Sequence, residues 1–452
     1  MKLFPQDSDV TLYETAFGED SLGRRELSRQ LSELVEKIED PIVLALDDKW
    51  GSGKTYFLKR WVAAHTKENE GIATTVYFDA FENDYSSDPL VSLISTIIDR
   101  LPKSKANKIA NLKEAGKKLI KPTLGLALSM ITLGAKQSLD EFGDAIADAT
   151  ADEARSVARD IWDDERAKRD AIRDFKKLLG EITKENNTAL VVVVDELDRC
   201  RPDYALSVLE IIKHFFSVTK VHFILGTNGE ALENIVRARY GAGIDAERYL
   251  RKFVTATFSL PRNDGCQNGQ IVTIKYAREM SAKMEVPEHI SNRCMQLMEF
   301  VSRDNGVSLR DVGNILSRLA LIPDTKQRFQ HQLGYCDVLC VLVVSAVVDP
   351  VFHRDFLSGS LREERVKAFL KTSDLELSPT IEDADNQHYN RDAAVWFSVI
   401  MYCCRDAIVG TKEDNPLMVA GVHGHFGDTI YRKERGDIPS FLQRKYVDIF
   451  KL

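Results

Sequence analysis

A chain of 452 residues, 44% hydrophobic and 29% charged, is long enough for two or three domains and has the balance of a soluble globular protein. That balance excludes a disordered or fibrous class. The formal charge of −8 gives no global attraction to nucleic acid, so such a contact would need a local basic patch.

Residues 20–39 put Leu22, Leu27, Leu31, Leu34 and Ile38 on one helical face. "PIVLAL" (41–46) is a continuous apolar run of the kind buried on both faces of a parallel sheet. A glycine-rich turn follows, then a helix through "TYFLKRWVAAHTK", a strand "TTVYFDA" (74–80) and a helix over 89–101. Residues 103–187 interrupt this rhythm. Seven lysines (103, 105, 108, 113, 117, 118 and 121) open the segment. They would suit nucleic-acid phosphates or an anionic membrane surface, although a solvated helix face is the favoured reading, and nucleic acid is not a favoured partner. The uncharged run 122–135 is roughly two thirds of the ~20 residues that cross a bilayer, so no membrane span is expected. It reads as an apolar helix covered by the protein or by a partner.

The rhythm resumes with "ALVVVVDE" (189–196), a helix over 203–217, the strand "VHFILGT" (221–227), a helix over 229–240 and the strand "FVTATFSLP" (253–261). From about 265 onward the helical period dominates. The expected division is 1–102 for an N-terminal helix and the first part of the core, 103–187 for a helical insert, 188–264 for the second part of the core, and 265–452 for a helical lid and partner-binding region. Seven cysteines without a C-x-x-C pair suggest reduced thiols and a cytoplasmic setting. The N-terminus lacks a basic region followed by an apolar run, so it does not read as a secretory signal. Cys336 and Cys340 share a helical face and read as core, and His423 and His425 read as ordinary loop rather than metal ligands.

The stretch "LALDDKWGSGKTYFL" (44–58) ends as a phosphate-binding loop does. Such a loop needs inward backbone N–H groups at a helix N-terminus, a lysine for the β- and γ-phosphates and a hydroxyl for Mg²⁺. Gly51 and Gly53 allow the nest, Lys54 supplies the charge and Thr55 the hydroxyl. Asp48 stands where the G-x-x-x-x-G-K-[ST] spacing has its first glycine, a position that favours positive φ, which aspartate visits at modest cost. In "VVVVDELDRCRP" four valines lead to Asp195 and Glu196 at a strand end. Asp195 is expected to hold Mg²⁺ through its water shell, and Glu196 to polarise the attacking water. Catalysis of phosphoryl transfer is largely positioning and charge stabilisation. Thr227 and Asn228, at the end of the next strand, are the candidates for sensing the γ-phosphate. Arg248 and Arg251 are candidates for neutralising transition-state charge, with Arg199 and Arg310 as further arginines of interest.

Together these residues resemble the KAP family of P-loop NTPases. "DKWGSGKT" is similar to its W-G-S-G-K-[ST] loop, "VVVVDELDRCRPD" to its D-[DE]-L-D-R-C motif, "VYFDAFENDYSSDPL" to its F-N-A-W-type segment, and "ERYLRKFVTATFSLP" to its Y-L-x-K-x-F…P segment. The likeness covers roughly residues 20–320, with Asp48, Asp79, Phe81 and Glu196 as departures from the common pattern. It implies an α/β fold of the additional-strand type with a parallel sheet in the order 5-1-4-3-2, a helical insert and a C-terminal helical region. It further implies ATP as ligand with Trp50, Gly51, Ser52, Gly53, Lys54, Thr55, Tyr56 and Asn228 around it, and Mg²⁺ at Thr55 and Asp195. The catalytic set would be Glu196, Lys54, Arg248 and Arg251. A compact member of the family would be a bacterial defence ATPase, similar to those of Qat-type antiphage systems, acting with protein partners or by self-association. The alternative is a nucleotide-bound scaffold with little turnover.

Overall fold

The apolar runs of the sequence pair into a single sheet of five strands: β1 (Val43–Asp47), β2 (Thr74–Asp79), β3 (Leu190–Asp195), β4 (Val221–Thr227) and β5 (Ala256–Phe258). The computed structural model describes residues 10–18, 22–86, 88–101, 106–119, 170–184, 187–261, 272–303, 307–322, 333–372, 384–404 and 437–448. The order across the sheet is β2-β3-β4-β1-β5, which is the expected 5-1-4-3-2 read from the other edge. Every pairing is parallel. The last strand is shorter than the run 253–261 suggested, because only three of its residues pair with β1.

Alternation along each strand divides its side chains between two cores. In β3, Leu190, Val192 and Val194 face one layer, while Val191 and Val193 face the other. The first layer holds α3 (Pro89–Arg100), α4 (Ala106–Leu119), a helix α5 described over 170–184, α6 (Pro202–Phe215) and α7 (Gly229–Tyr240). The second holds α1 (Arg25–Lys37) and α2 (Lys54–Lys67). Leu112 and Ala115 of α4 are buried in the first layer while Lys113 is exposed, so the described part of the lysine-rich segment is a helix with one face packed on the core. The run 122–135 and the histidines 423 and 425 lie outside the described residues.

The buried face of α1 is rotated from the one the leucine spacing indicated. Ser28, Leu31, Ser32 and Val35 are buried, whereas Leu34 is exposed. The two serines are held inside by hydrogen bonds: Trp61 Nε1 donates to Ser28 O and Ser32 Oγ, both at 3.2 Å. Asn69 Nδ2 donates to Ser28 Oγ and Ser32 Oγ, both at 2.9 Å. Buried polar groups are retained when they are satisfied in this way.

After a short α8 (Ala246–Leu250) come α9 (Val272–Lys283), α10 (Glu288–Val301) and α11 (Leu309–Leu321). They are followed by α12 (Leu333–Val348), α13 (Pro350–Ser358), α14 (Glu363–Phe369), α15 (Ala384–Tyr402) and α16 (Ile438–Leu442). From α9 onward these helices share a core of their own. Its centre is α12, whose buried Asp337 accepts two bonds from Arg293 of α10, at 2.6 and 2.7 Å. Cys336 and Cys340 are buried there, as the sequence suggested. Among the described residues no helix is long and apolar enough to cross a membrane.

Candidate functional site

Register brings the chemistry to one edge of the sheet. Asp79 pairs with Asp195 across β2 and β3, Asp195 with Gly226 across β3 and β4, and Asp47 with Thr227 across β1 and β4. The C-terminal ends of four neighbouring strands therefore meet, and the glycine-rich loop 48–53 rises between β1 and α2 beside them. In an open parallel sheet this is where ligands bind.

The loop has the backbone of a phosphate nest. Gly51 and Gly53 take φ of 83° and 92°, a region that glycine enters without penalty. A Cβ at Gly53 would lie 2.7 Å from Arg24 Nη1, and one at Gly51 would lie 2.7 Å from Ser308 Oγ. Space as well as conformation therefore demands glycine. Asp48 does not adopt positive φ, contrary to the expectation from its position. Its N–H donates to Thr227 O at 3.2 Å, which keeps it an extension of the strand pairing. Its Oδ1 accepts from Lys49 N at 2.8 Å, and the two glycines alone turn the loop.

Lys54 opens α2 and is 8% exposed. Its Nζ donates to the carbonyls of Asp48 and Lys49 at 2.5 and 3.1 Å. Burial lowers its pKa, opposed by the carboxylates of Asp198, Asp48, Asp195 and Asp47. The Ser52 hydroxyl is buried without a hydrogen-bond partner among the described residues.

Asp195 is 1% exposed. It accepts from Tyr77 Oη at 2.8 Å, from the Thr55 hydroxyl, and from Glu196 N at 2.9 Å. Burial nevertheless raises its pKa. Glu196 follows in the left-handed region, φ 58° and ψ 27°, at a cost of about 1–3 kcal/mol for a residue with a Cβ. Its carboxylate pairs with Arg199 at 3.1 Å. Burial raises the Glu196 pKa; Arg199 opposes this and the neighbouring acids reinforce it.

Some expected site residues do not converge. Arg248 and Arg251 are exposed on and just after α8. Arg251 pairs with Glu247 at 2.5 Å, and among the described residues no hydrogen bond or ion pair joins either arginine to the loop or to the strand-end carboxylates. Asn228 uses its Oδ1 to cap α7 at Ala231 N. Its neighbour Gly229 donates to Asp47 Oδ1 at 2.7 Å, which ties the end of β4 to β1. Thr227 is buried at the end of β4. The Tyr56 ring lies 4.5 Å from the Arg60 guanidinium. Arg310 lies beside the loop through its backbone, whose N–H donates to Gly51 O at 3.3 Å.

Besides Trp50, already expected at the loop, three residues that sequence reasoning passed over also belong here. Arg24, 2% exposed, donates to Ser52 O at 2.7 Å and to Gly53 O at 3.0 Å. Tyr77 holds Asp195. Trp50 donates its indole N–H to Asp198. Gly226 is kept small by Asp195, since a Cβ there would lie 2.4 Å from Asp195 Oδ1. The tyrosine sits in a quoted motif, but nothing in its spacing marks it as a partner of the acid.

Residues 24–324 match the KAP family P-loop domain, well over half of the chain. The chain belongs to the KAP family. The match begins at Arg24, the residue that holds the carbonyls of the loop, and extends past α11 of the helical region. Two solved structures are similar to this KAP chain at 12% identity and a TM-score of 0.34. They are the ORC2 protein of Aeropyrum pernix in its ADPNP–ADP complexes, covering 93% of this chain and 94% of that one, and the same protein in its ADP form, covering 88% and 91%. No curated protein matches.

Proposed function

We propose that this KAP protein binds ATP with Mg²⁺ and hydrolyses it, and that the cycle drives a conformational or assembly change. The observation that carries the reading is the convergence of loop and strand end: the Thr55 hydroxyl of α2 is on Asp195 at the end of β3, the Asp195 charge acts on Lys54, and Glu196 follows Asp195 directly. The orphan Ser52 hydroxyl beside Lys54 fits a phosphate. The donor set also fits Mg²⁺, a hard cation that keeps several waters and takes only one or two protein oxygens. Thr55 and Asp195 would hold it there, where it would neutralise charge between phosphates. Glu196 is the base for the attacking water, and Lys54 stabilises the transferring group.

Arg248 and Arg251, exposed and not bonded to the loop among the described residues, would act on phosphates across an interface with a second copy or a partner. A role in a bacterial antiphage defence complex, in the cytoplasm, is the biological setting we propose. The six described cysteines are buried and none of them forms a disulfide, which accords with a reducing compartment. A nucleotide-bound scaffold with little turnover is the second reading, favoured by the Arg199 guanidinium that engages Glu196. Steady-state hydrolysis by the purified protein separates the two. Glu196→Gln should retain a fluorescent ATP analogue and lose about two to four orders of magnitude in turnover. Near-normal turnover in that variant would remove Glu196 from the chemistry.

A further inference from the structure

The D-E-L-D-R segment does more than present two carboxylates. Between Glu196 and Cys200 the chain makes a single tight turn, Leu197–Arg199, closed by Arg199 N donating to Glu196 O at 3.1 Å. Leu197 is fully buried and anchors it. The other two side chains of the turn point to opposite tasks. Arg199 Nη2 lies 3.1 Å from Glu196 Oε1, so the lone pairs that would take a proton from water face a guanidinium instead. Asp198 accepts from the indole of Trp50, a residue inside the phosphate loop. That loop is closed on itself at the same point, since Lys54 Nζ donates to the carbonyls of Asp48 and Lys49, immediately before Trp50.

We propose that Arg199 is a positioning residue that holds Glu196 in reserve, and that the Trp50–Asp198 hydrogen bond couples this latch to the phosphate loop. Phosphate oxygens compete for the Lys54 ammonium. When Lys54 turns to them it leaves the carbonyls at 48 and 49, and the loop segment carrying Trp50 shifts. The indole N–H takes the Asp198 carboxylate with it, and the turn is too short to move Asp198 without moving Arg199. The Glu196 carboxylate is then freed to meet water. The other charged groups facing Glu196 are Asp195, Asp79 and Asp198, all acidic, so Arg199 is the counter-charge that this geometry assigns to it. The inference rests on Glu196 as the base.

The test is steady-state ATP hydrolysis by the full chain, comparing wild type with Arg199→Ala, Arg199→Gln, Arg199→Lys, Trp50→Phe and the double variant Trp50→Phe/Arg199→Ala. An ion pair as exposed as this one holds a side chain by a factor of about two to five. Arg199→Ala and Arg199→Gln should therefore raise kcat by about that factor with KM for ATP unchanged, and Arg199→Lys should stay near wild type. Trp50→Phe should lower kcat while retaining nucleotide, and the double variant should match Arg199→Ala, because the latch lies downstream of the loop. A kcat that is unchanged or lower in both Arg199→Ala and Arg199→Gln overturns the latch. So does a double variant that follows Trp50→Phe. If the Arg199 variants show no gain while Glu196→Gln abolishes turnover, the latch falls and the hydrolytic reading stands. Normal turnover in Glu196→Gln overturns both.

Discussion

Gly226 offers the sharpest test of the strand-end geometry. It lies in register with Asp195, and a methyl group on its Cα would sit 2.4 Å from Asp195 Oδ1 and 2.6 Å from Leu58 Cδ1. Carbon–oxygen contacts need about 3.3 Å, so the carboxylate would have to retreat by roughly 1 Å. It has little freedom to do so, because it is bound by Tyr77 Oη at 2.8 Å and Glu196 N at 2.9 Å. Overpacking of this kind costs about 1–3 kcal/mol, and loss of a hydrogen bond to a charged group about 1.5–3 kcal/mol. Gly226→Ala should thus destabilise the nucleotide-binding core by about 3 kcal/mol and reduce turnover more than nucleotide affinity. Equilibrium urea unfolding measures the first effect. Gly180→Ala is the control, since its Cβ would meet only Val218 Cγ1 at an ordinary 3.5 Å and should be neutral or stabilising by a few tenths of a kcal/mol. A Gly226→Ala protein within about 0.5 kcal/mol of wild type would refute the packing argument, whatever its activity.

Asp48→Gly should leave the affinity for a fluorescent ATP analogue within about threefold of wild type, because Asp48 is not in the left-handed region and its carboxylate is engaged only by the N–H of its neighbour Lys49 among the described hydrogen bonds; a tenfold loss would mean that its carboxylate contacts the ligand. His65 and His222 are fully buried and their pKa values are lowered by that burial. The unfolded chain therefore binds more protons below about pH 6.5, and each residue removes up to about 1.4 kcal/mol per pH unit as pH falls from there towards its folded value. His222→Leu should flatten the fall in urea stability between pH 6.5 and 5, and an unchanged slope would show that His222 is not neutral in the fold.

The parts of this molecule that were legible in the sequence are those whose cause is local. Four valines before Asp195 read as a strand buried on both faces, and a G-x-G-K-T turn between a strand and a helix reads as a nest. The helix over 229–240 and the strand over 221–227 were read to the residue. What escaped was set by distant partners. Ser28 and Ser32 look like surface positions until Trp61 and Asn69 are brought to them. Trp50 and Asp198 are 148 residues apart. The need for a small residue at Gly226 belongs to Asp195 on the neighbouring strand. Asp48 misled for the opposite reason: a spacing rule assigned it a backbone conformation that Gly51 and Gly53 already supply.

Charge balance at the strand ends leads to the last prediction. Each acid there already has its own donor: Asp47 the N–H of Gly229, Asp79 the N–H of Glu82, Asp195 the Tyr77 hydroxyl, Asp198 the Trp50 indole and Glu196 the Arg199 guanidinium. Those donors fix the carboxylates in place and neutralise few of them. Four acids act on the single Lys54 ammonium. A triphosphate entering this edge adds negative charge where negative charge is already in excess, and like charges at these separations repel by several kcal/mol at a partly buried site. Lys54 and the loop N–H groups offset only part of that. A divalent cation between Thr55, Asp195 and the phosphates would offset the rest, so nucleotide affinity itself should depend on it. Titration of a fluorescent ATP analogue with Mg²⁺ and then with excess chelator should show affinity falling at least about tenfold on chelation. Asp195→Asn, which removes one of the repelling charges, should narrow that difference. Equal affinity with and without the cation would mean that the loop and Lys54 suffice, and the acidic edge would then serve folding rather than the nucleotide.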